Sequence, residues 1–181
     1  MLEHEGNLVI ESDVVAKYVA QNIDGVGGMG KDLYPENEAD IQQIQDFMAS
    51  WQSVTDTYYD LLRAGSQKEV VKREKDFKNS LVAIDDILKT RDGPFILGDH
   101  FSYTECISAP WIQRFYVTLP YFRGIDFEDD ILTKMDSMSQ WMSSVCSRPS
   151  CVDSKCPESE MIDAAKRYYV SFVSPGASGS L

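Results

Sequence analysis

Four cysteines and two histidines are the residues of this chain whose types most readily do chemistry. Cys106, Cys146, Cys151 and Cys156 all fall in the C-terminal half, the last three at five-residue intervals. A zinc site asks for closer pairs such as Cys-x-x-Cys with imidazoles in reach, and His4 and His100 are the sole candidates to supply them. No metal site is assigned, and the cysteines read as reduced thiols. Gly25-Val26-Gly27-Gly28-Met29-Gly30 imitates a phosphate loop. It follows a helix pattern rather than a strand and lacks the Lys-Ser/Thr ending, so it reads as a linker.

Helices must position whatever site exists. From Asn37 to Ala64 apolar residues recur at Ile41, Ile44, Phe47, Met48, Trp51, Val54, Tyr58, Leu61 and Leu62, the spacing of one helical face. A second such face, Val70, Phe77, Leu81, Ile84 and Leu88, lies between the Gly65-Ser66 break and the Arg91-Asp92-Gly93-Pro94 stop. The two predict an antiparallel pair. Ser102 and Glu105 have the spacing of a capping box, in which hydroxyl and carboxylate satisfy each other's backbone N–H groups, and they open a third helix. Pro110 is expected to kink it. A fourth helix is expected from Phe127 to Ser147, closed by Arg148-Pro149. A fifth opens at Pro157 and buries Met161, Ile162, Ala165, Tyr168, Tyr169 and Phe172.

The first 26 residues differ: Leu8-Val9-Ile10 reads as a strand, turned back at His4-Glu5-Gly6-Asn7 onto Met1 to Glu3. Ser12 has the chemistry to cap a helix running to Asn22, with Val14, Val15, Tyr18 and Val19 along one side. A hairpin this small is not self-sufficient in water. The segment reads as the end of a domain, exposing a strand edge and an apolar face. The whole of 181 residues suits one domain plus a fragment. With 17 Lys plus Arg against 29 Asp plus Glu, the net charge of −12 argues against nucleic acid and anionic membranes. No apolar run approaches the roughly 20 residues of a bilayer span, and the first residues do not make a signal peptide, so a cytoplasmic location is expected.

Leu2-Glu3-His4-Glu5-Gly6-Asn7-Leu8-Val9-Ile10-Glu11-Ser12 resembles the last hairpin and the Glu-Ser pair of the cytosolic glutathione transferases. Leu97-Gly98-Asp99-His100-Phe101-Ser102-Tyr103-Thr104-Glu105 looks like that family's capping-box motif, with Glu105 where Asp is more usual. Ala109-Pro110-Trp111-Ile112-Gln113-Arg114-Phe115 is similar to the sixth helix of omega-class members, and Trp141 through Arg148-Pro149-Ser150 to the family's late helix and its stop. The resemblance implies a mainly α fold: an all-helical glutathione transferase C-terminal domain, a five-helix bundle, preceded by a β-hairpin and helix remnant of a thioredoxin-like domain. The implied divisions are 1–26 for the remnant, 27–36 for the linker, 37–173 for the helical domain and 174–181 for a disordered tail.

The same resemblance implies the site. Ser12 and the next amides, at the positive end of a helix, would hold the carboxylate of a γ-glutamyl group while Glu11 takes its ammonium. The alternative is that Ser12 only caps its helix. Tyr58, Tyr59, Trp111 and Phe115 are candidates for the wall of an acceptor-substrate pocket, or else aromatics of the bundle core. Ser102 and Glu105 are structural. Catalysis in the family uses a Tyr, Ser or Cys near the end of the first strand, which by resemblance would precede Met1, so no catalytic residue is carried over. The expected function is omega-like thiol transfer or conjugation of an electrophile, with glutathione as co-substrate at a half-site and this truncated chain inactive. The alternative is a non-catalytic helical interaction module docking with protein partners, as a homo- or heterodimer among other assemblies.

Overall fold

Glu5 and Gly6 close a tight hairpin because both take left-handed backbone, φ 49° and 78°. That geometry matches the twist of the strands it joins. Strands β1 (Leu2–His4) and β2 (Asn7–Val9) pair antiparallel with Leu2 opposite Val9. Helix α1 (Ser12–Asn22) follows. The computed structural model describes residues 1–23 and 33–169. The glycine-rich part of the expected linker, Phe172 and the expected tail lie outside the described residues.

Two long helices, α2 (Glu38–Arg63) and α3 (Gln67–Leu88), form the pair that the periodicity implies. Asn37 caps the first by accepting from the Asp40 amide, and Ser66 caps the second by accepting from the Glu69 amide. Their antiparallel register is fixed by the hydroxyls of Thr57 and Ser80, 2.9 Å apart, and by the Asp60–Arg73 ion pair at 3.0 Å. In the loop after α3, Gly93 sits at φ 132° with its α-carbon against Gly98, where a Cβ would collide with the Gly98 backbone.

Helix α4 (Tyr103–Arg123) starts at the capping box and continues through Pro110 and a second proline, Pro120. Each proline removes one backbone donor. The buried row Ala109, Ile112, Phe115 and Leu119 holds the helix in place. Gly124, left-handed at φ 63°, ends it.

The expected fourth helix is not continuous. A single π-helical turn, Phe127–Ile131, opens where the Asp126 carboxylate accepts from the amides of Glu128 and Asp129, each at 2.9 Å. The chain then turns back at Lys134, φ 70°, before α5 (Asp136–Cys146) begins. No side chain of its own caps α5; instead buried Asp85 of α3 accepts from the Met138 amide at 2.8 Å. Arg148-Pro149 does not merely end α5, because Pro149 opens the short α6 (Pro149–Asp153). In α7 (Glu158–Tyr168) Met161 and Ala165 are buried, whereas Tyr168 is 61% exposed, against the expectation.

The core lies between α2, α3, α4 and α5, around Phe47, Trp51, Phe77, Phe115 and Trp141. Trp51 and Trp141 meet edge to face at 5.7 Å. A smaller cluster of Ala20, Tyr34, Ile44 and Tyr103 fastens α1 to this bundle. On the other side of the hairpin and α1, Leu8, Ile10 and Val14 stand 62%, 57% and 50% exposed. No helix of the described residues is long and apolar enough to cross a membrane.

Candidate functional site

A cleft of about 560 Å³ opens where α1 meets α2 and α4. Its walls follow from helical spacing. Met48, Gln52, Thr55 and Tyr59 form one stripe of α2, and Ile107, Trp111 and Arg114 form one stripe of α4. Ser12 and Asp13 close the third side, held there by the Tyr103 hydroxyl donating to the Asp13 carbonyl at 3.2 Å.

Glu11, not Ser12, occupies the cap position of α1, with φ 69° and ψ 132°, and no side chain caps this helix end. The expected Ser12 cap is therefore absent, because Ser12 already lies in the first turn. The first backbone bond, from the Val15 N–H to the Glu11 carbonyl at 2.8 Å, leaves the amides of Ser12, Asp13 and Val14 ahead of it. An uncapped helix end with exposed Ser12 beside a cleft is ready to receive an anion. Glu11 is exposed on the rim and does not line the cleft.

The four aromatic candidates separate into two pairs. Tyr59 and Trp111 line the cleft, edge to face at 5.4 Å. Tyr58 and Phe115 are fully buried in the core, with the Tyr58 and Thr118 hydroxyls 2.7 Å apart, and neither lines the wall. Adjacent residues on a helix point about 100° apart, so Tyr58 and Tyr59 face opposite tasks. The Tyr59 hydroxyl donates to that of Tyr169 at 3.2 Å, and burial followed by this bond pushes its pKa up.

Cys106, Arg114 and Trp51 also border the cleft, and none was expected there from the sequence. The signal was present in the four-residue interval Cys106–Pro110–Arg114, which aligns them with Trp111. The Arg114 guanidinium lies 4.8 Å from the Trp111 ring centroid. The Trp51 indole N–H has no hydrogen-bond partner, the one buried side-chain donor of that kind among the described residues. The Cys106 thiol is pushed up to about 11, by burial first and then by the Glu105 and Cys151 charges, so it is a thiol at neutral pH. Its alkylation by iodoacetamide is expected to keep rising with pH and reach half its maximum near about 11. A half-maximum below about 8 would mean an activated thiolate instead.

Ser102, the N-cap of α4, and Glu105, in its first turn, do not line the cleft. Glu105 accepts from the amides of Ile96 and Ser102, the Ser102 hydroxyl and the Trp141 indole.

This architecture, a hairpin and helix leading into an all-helical bundle with a capping box at its central helix, matches the fold of a glutathione transferase C-terminal domain preceded by a thioredoxin-like remnant. Residues 57–143 match the family profile "Glutathione S-transferase, C-terminal domain". The chain is 25% identical over 168 residues to "Glutathione S-transferase L1" of Arabidopsis thaliana, covering 92% of itself and 64% of that relative. It thus spans less than two thirds of the curated relative's length. The crystal structure of glutathione transferase Omega 3C from Trametes versicolor has the same fold, with a TM-score of 0.72 at 19% identity over 91% of this chain and 68% of that one.

Proposed function

We propose that the N-terminus of α1 binds glutathione and that the adjoining cleft receives an electrophile or thiol as the second substrate. The observation that carries this reading is the meeting of Ser12, at an uncapped helix end, with Tyr59 and Trp111 in one cleft. The γ-glutamyl carboxylate accepts from the Ser12 hydroxyl and the first amides of α1, while the Glu11 carboxylate takes the ammonium. The glutathione chain then runs toward Trp111 and Tyr59, which offer apolar edges to the acceptor.

Among the described residues of this cleft, neither Cys106 nor Tyr59 is poised to activate glutathione's sulfur. Cys106 keeps its proton, and the Tyr59 hydroxyl gives its hydrogen to Tyr169. The 181-residue chain therefore holds glutathione without turnover, as an omega-like transferase by ancestry. Retention on immobilised glutathione tests the clamp. Ser12→Ala and Glu11→Ala are each expected to weaken binding about tenfold or more, the worth of a hydrogen bond to a charged group. Both should fold normally, since neither side chain caps α1. Retention unchanged by both substitutions would remove the clamp. Conjugation of a chloronitrobenzene above the uncatalysed rate would overturn the inactive reading.

The second reading, a non-catalytic helical module that docks with protein partners, is favoured by one feature, the exposed apolar face of Leu8, Ile10 and Val14. It gains if the chain fails to bind glutathione yet sediments as a dimer that Ile10→Glu and Val14→Glu disperse.

A further inference from the structure

Six of the 17 lysines and arginines of this acidic chain lie between Arg63 and Lys78, so its cations gather at the end of α2 and the start of α3 rather than scatter. On α3 the exposed residues Lys68, Val71, Lys72, Lys75, Asn79 and Val82 fall within about 100° of the helix circumference, in a stripe about 21 Å long. None of them is acidic. Val71 and Val82, 59% and 40% exposed, stand three turns apart with Lys72 and Lys75 between them. The stripe shares no residue with the cleft at α1 or with the exposed face of the hairpin.

The carboxylates nearest in sequence are committed elsewhere. Glu69 accepts from the Gly65 amide at 2.8 Å, and Asp76 and Asp60 share the Arg73 guanidinium at 3.6 and 3.0 Å. Burial and then the Asp130 charge push the Glu74 carboxyl up, and the cation that acts on it is Lys78, which itself donates to the Asp130 carbonyl at 2.8 Å. Lys68, Lys72 and Lys75 have no hydrogen-bond or ion-pair partner among the described residues. The stripe also works against its own helix. Lys68 sits in the first turn, at the positive end of the dipole, and Lys68–Lys72 and Lys72–Lys75 are like-charged neighbours at four- and three-residue spacing. The two valines in water are poorer helix formers than the lysines around them.

A local conflict of this kind is resolved when a partner covers it. We propose that this stripe of α3 docks an acidic amphipathic helix of a partner protein, its carboxylates against Lys68, Lys72 and Lys75 and its apolar side chains against Val71 and Val82. Charge complementarity sets the sign of the partner. The spacing sets its form, because residues that recur every three or four positions along about 21 Å are matched by another helix lying alongside. This surface is independent of the glutathione reading.

The probe is a fluorescein-labelled helical peptide of about 22 residues, long enough to hold its helix, with leucines at the spacing of Val71 and Val82 and glutamates in the turns between. Fluorescence anisotropy follows its binding to the full chain at 0.15 M salt, where the net charge of −12 is screened beyond about 8 Å. Saturable binding is expected, weakened at least about threefold by 0.5 M salt. Lys72→Glu with Lys75→Glu should weaken it at least about tenfold, since each reversal turns an exposed ion pair into a repulsion. If that double variant fails to fold, Lys72→Gln with Lys75→Gln takes its place, with a loss of about fourfold. Val71→Gln with Val82→Gln should weaken binding about fivefold. Lys155→Glu with Lys166→Glu makes the same change of net charge at exposed positions off the stripe and should leave binding within about twofold. An equal loss in that control pair, or unchanged affinity in the Lys72 and Lys75 variants, overturns the stripe. Equal binding of a peptide with glutamine for every glutamate overturns the acidic partner. Vesicles of phosphatidylserine, or duplex DNA, bound more tightly than the peptide through the same lysines would overturn the protein partner.

Discussion

Glu105→Ala is expected to destabilise the chain by at least about 4 kcal/mol, enough to unfold much of it at room temperature, because four donors converge on one buried carboxylate. One carboxylate oxygen takes the Ile96 amide at 2.8 Å and the Trp141 indole at 3.2 Å. The other takes the Ser102 amide at 2.9 Å and its hydroxyl at 2.7 Å. Alanine would strand two amides and an indole in the interior, each at a cost of about 1–3 kcal/mol, and would leave a cavity as well. Glu105→Gln keeps the shape yet turns an NH₂ toward two of the donors, so about 2–3 kcal/mol is expected there. Denaturant unfolding of the full chain measures both. A loss below about 1 kcal/mol for the alanine variant would mean that the four bonds are not what holds the loop, α4 and α5 together. The consequence reaches the cleft, since α4 carries Cys106, Trp111 and Arg114 on rails that Glu105 sets.

That cap was legible in the sequence because its signal is local: Ser102 and Glu105 are three residues apart and need nothing else to pair. Helices α2 and α3 were legible for the same kind of reason, a periodic face bounded by Asn37, Gly65-Ser66 and Pro94. The split of the expected fourth helix was not, because the residue that starts α5 is Asp85, more than fifty positions away in sequence. Apolar spacing through Phe127, Leu132, Met135 and Met138 runs across the break, and nothing in it marks Lys134 as left-handed.

The candidate site was legible to the same limit. Ser12 reads as a cap by residue type, but the carbonyl that starts α1 belongs to Glu11, and that depends on how the hairpin delivers the chain. Tyr58 and Tyr59 are neighbours of the same type, and which of them turns inward is decided by where α4 lies. The hydroxyl of Thr118, sixty residues on, makes Tyr58 the core residue and leaves Tyr59 to the cleft. Cys106 and Arg114 share the stripe of Trp111, yet a stripe shows only which residues travel together, and α1 makes this one the wall of a cleft.

Arg123→Met is expected to cost about 3 kcal/mol through the far end of the same scaffold. Its buried guanidinium donates to the Leu61 carbonyl at 2.9 Å, to the Leu62 and Phe122 carbonyls, and to the Ala64 carbonyl at 3.5 Å. These are largely the last carbonyls of α2, at the negative end of its dipole, and of them the Leu61 carbonyl also accepts from the Ala64 amide at 3.3 Å. Burial pulls the guanidinium's pKa down from its ordinary value, but an arginine stays charged in such a setting, and the helix end supplies the compensating polarity. Methionine fills the volume and satisfies none of these acceptors. Arg123→Lys is expected to recover less than half of the loss, because a single ammonium cannot span carbonyls that a planar fork reaches together. Amide exchange near Ala64 should quicken in both variants. Glutathione retention should hold in whatever fraction remains folded, since α1 is fastened at Tyr103, at the opposite end of α4. If Arg123→Met unfolds at the same denaturant concentration as the wild-type chain, the end of α2 is satisfied by other means and Arg123 is not its cap.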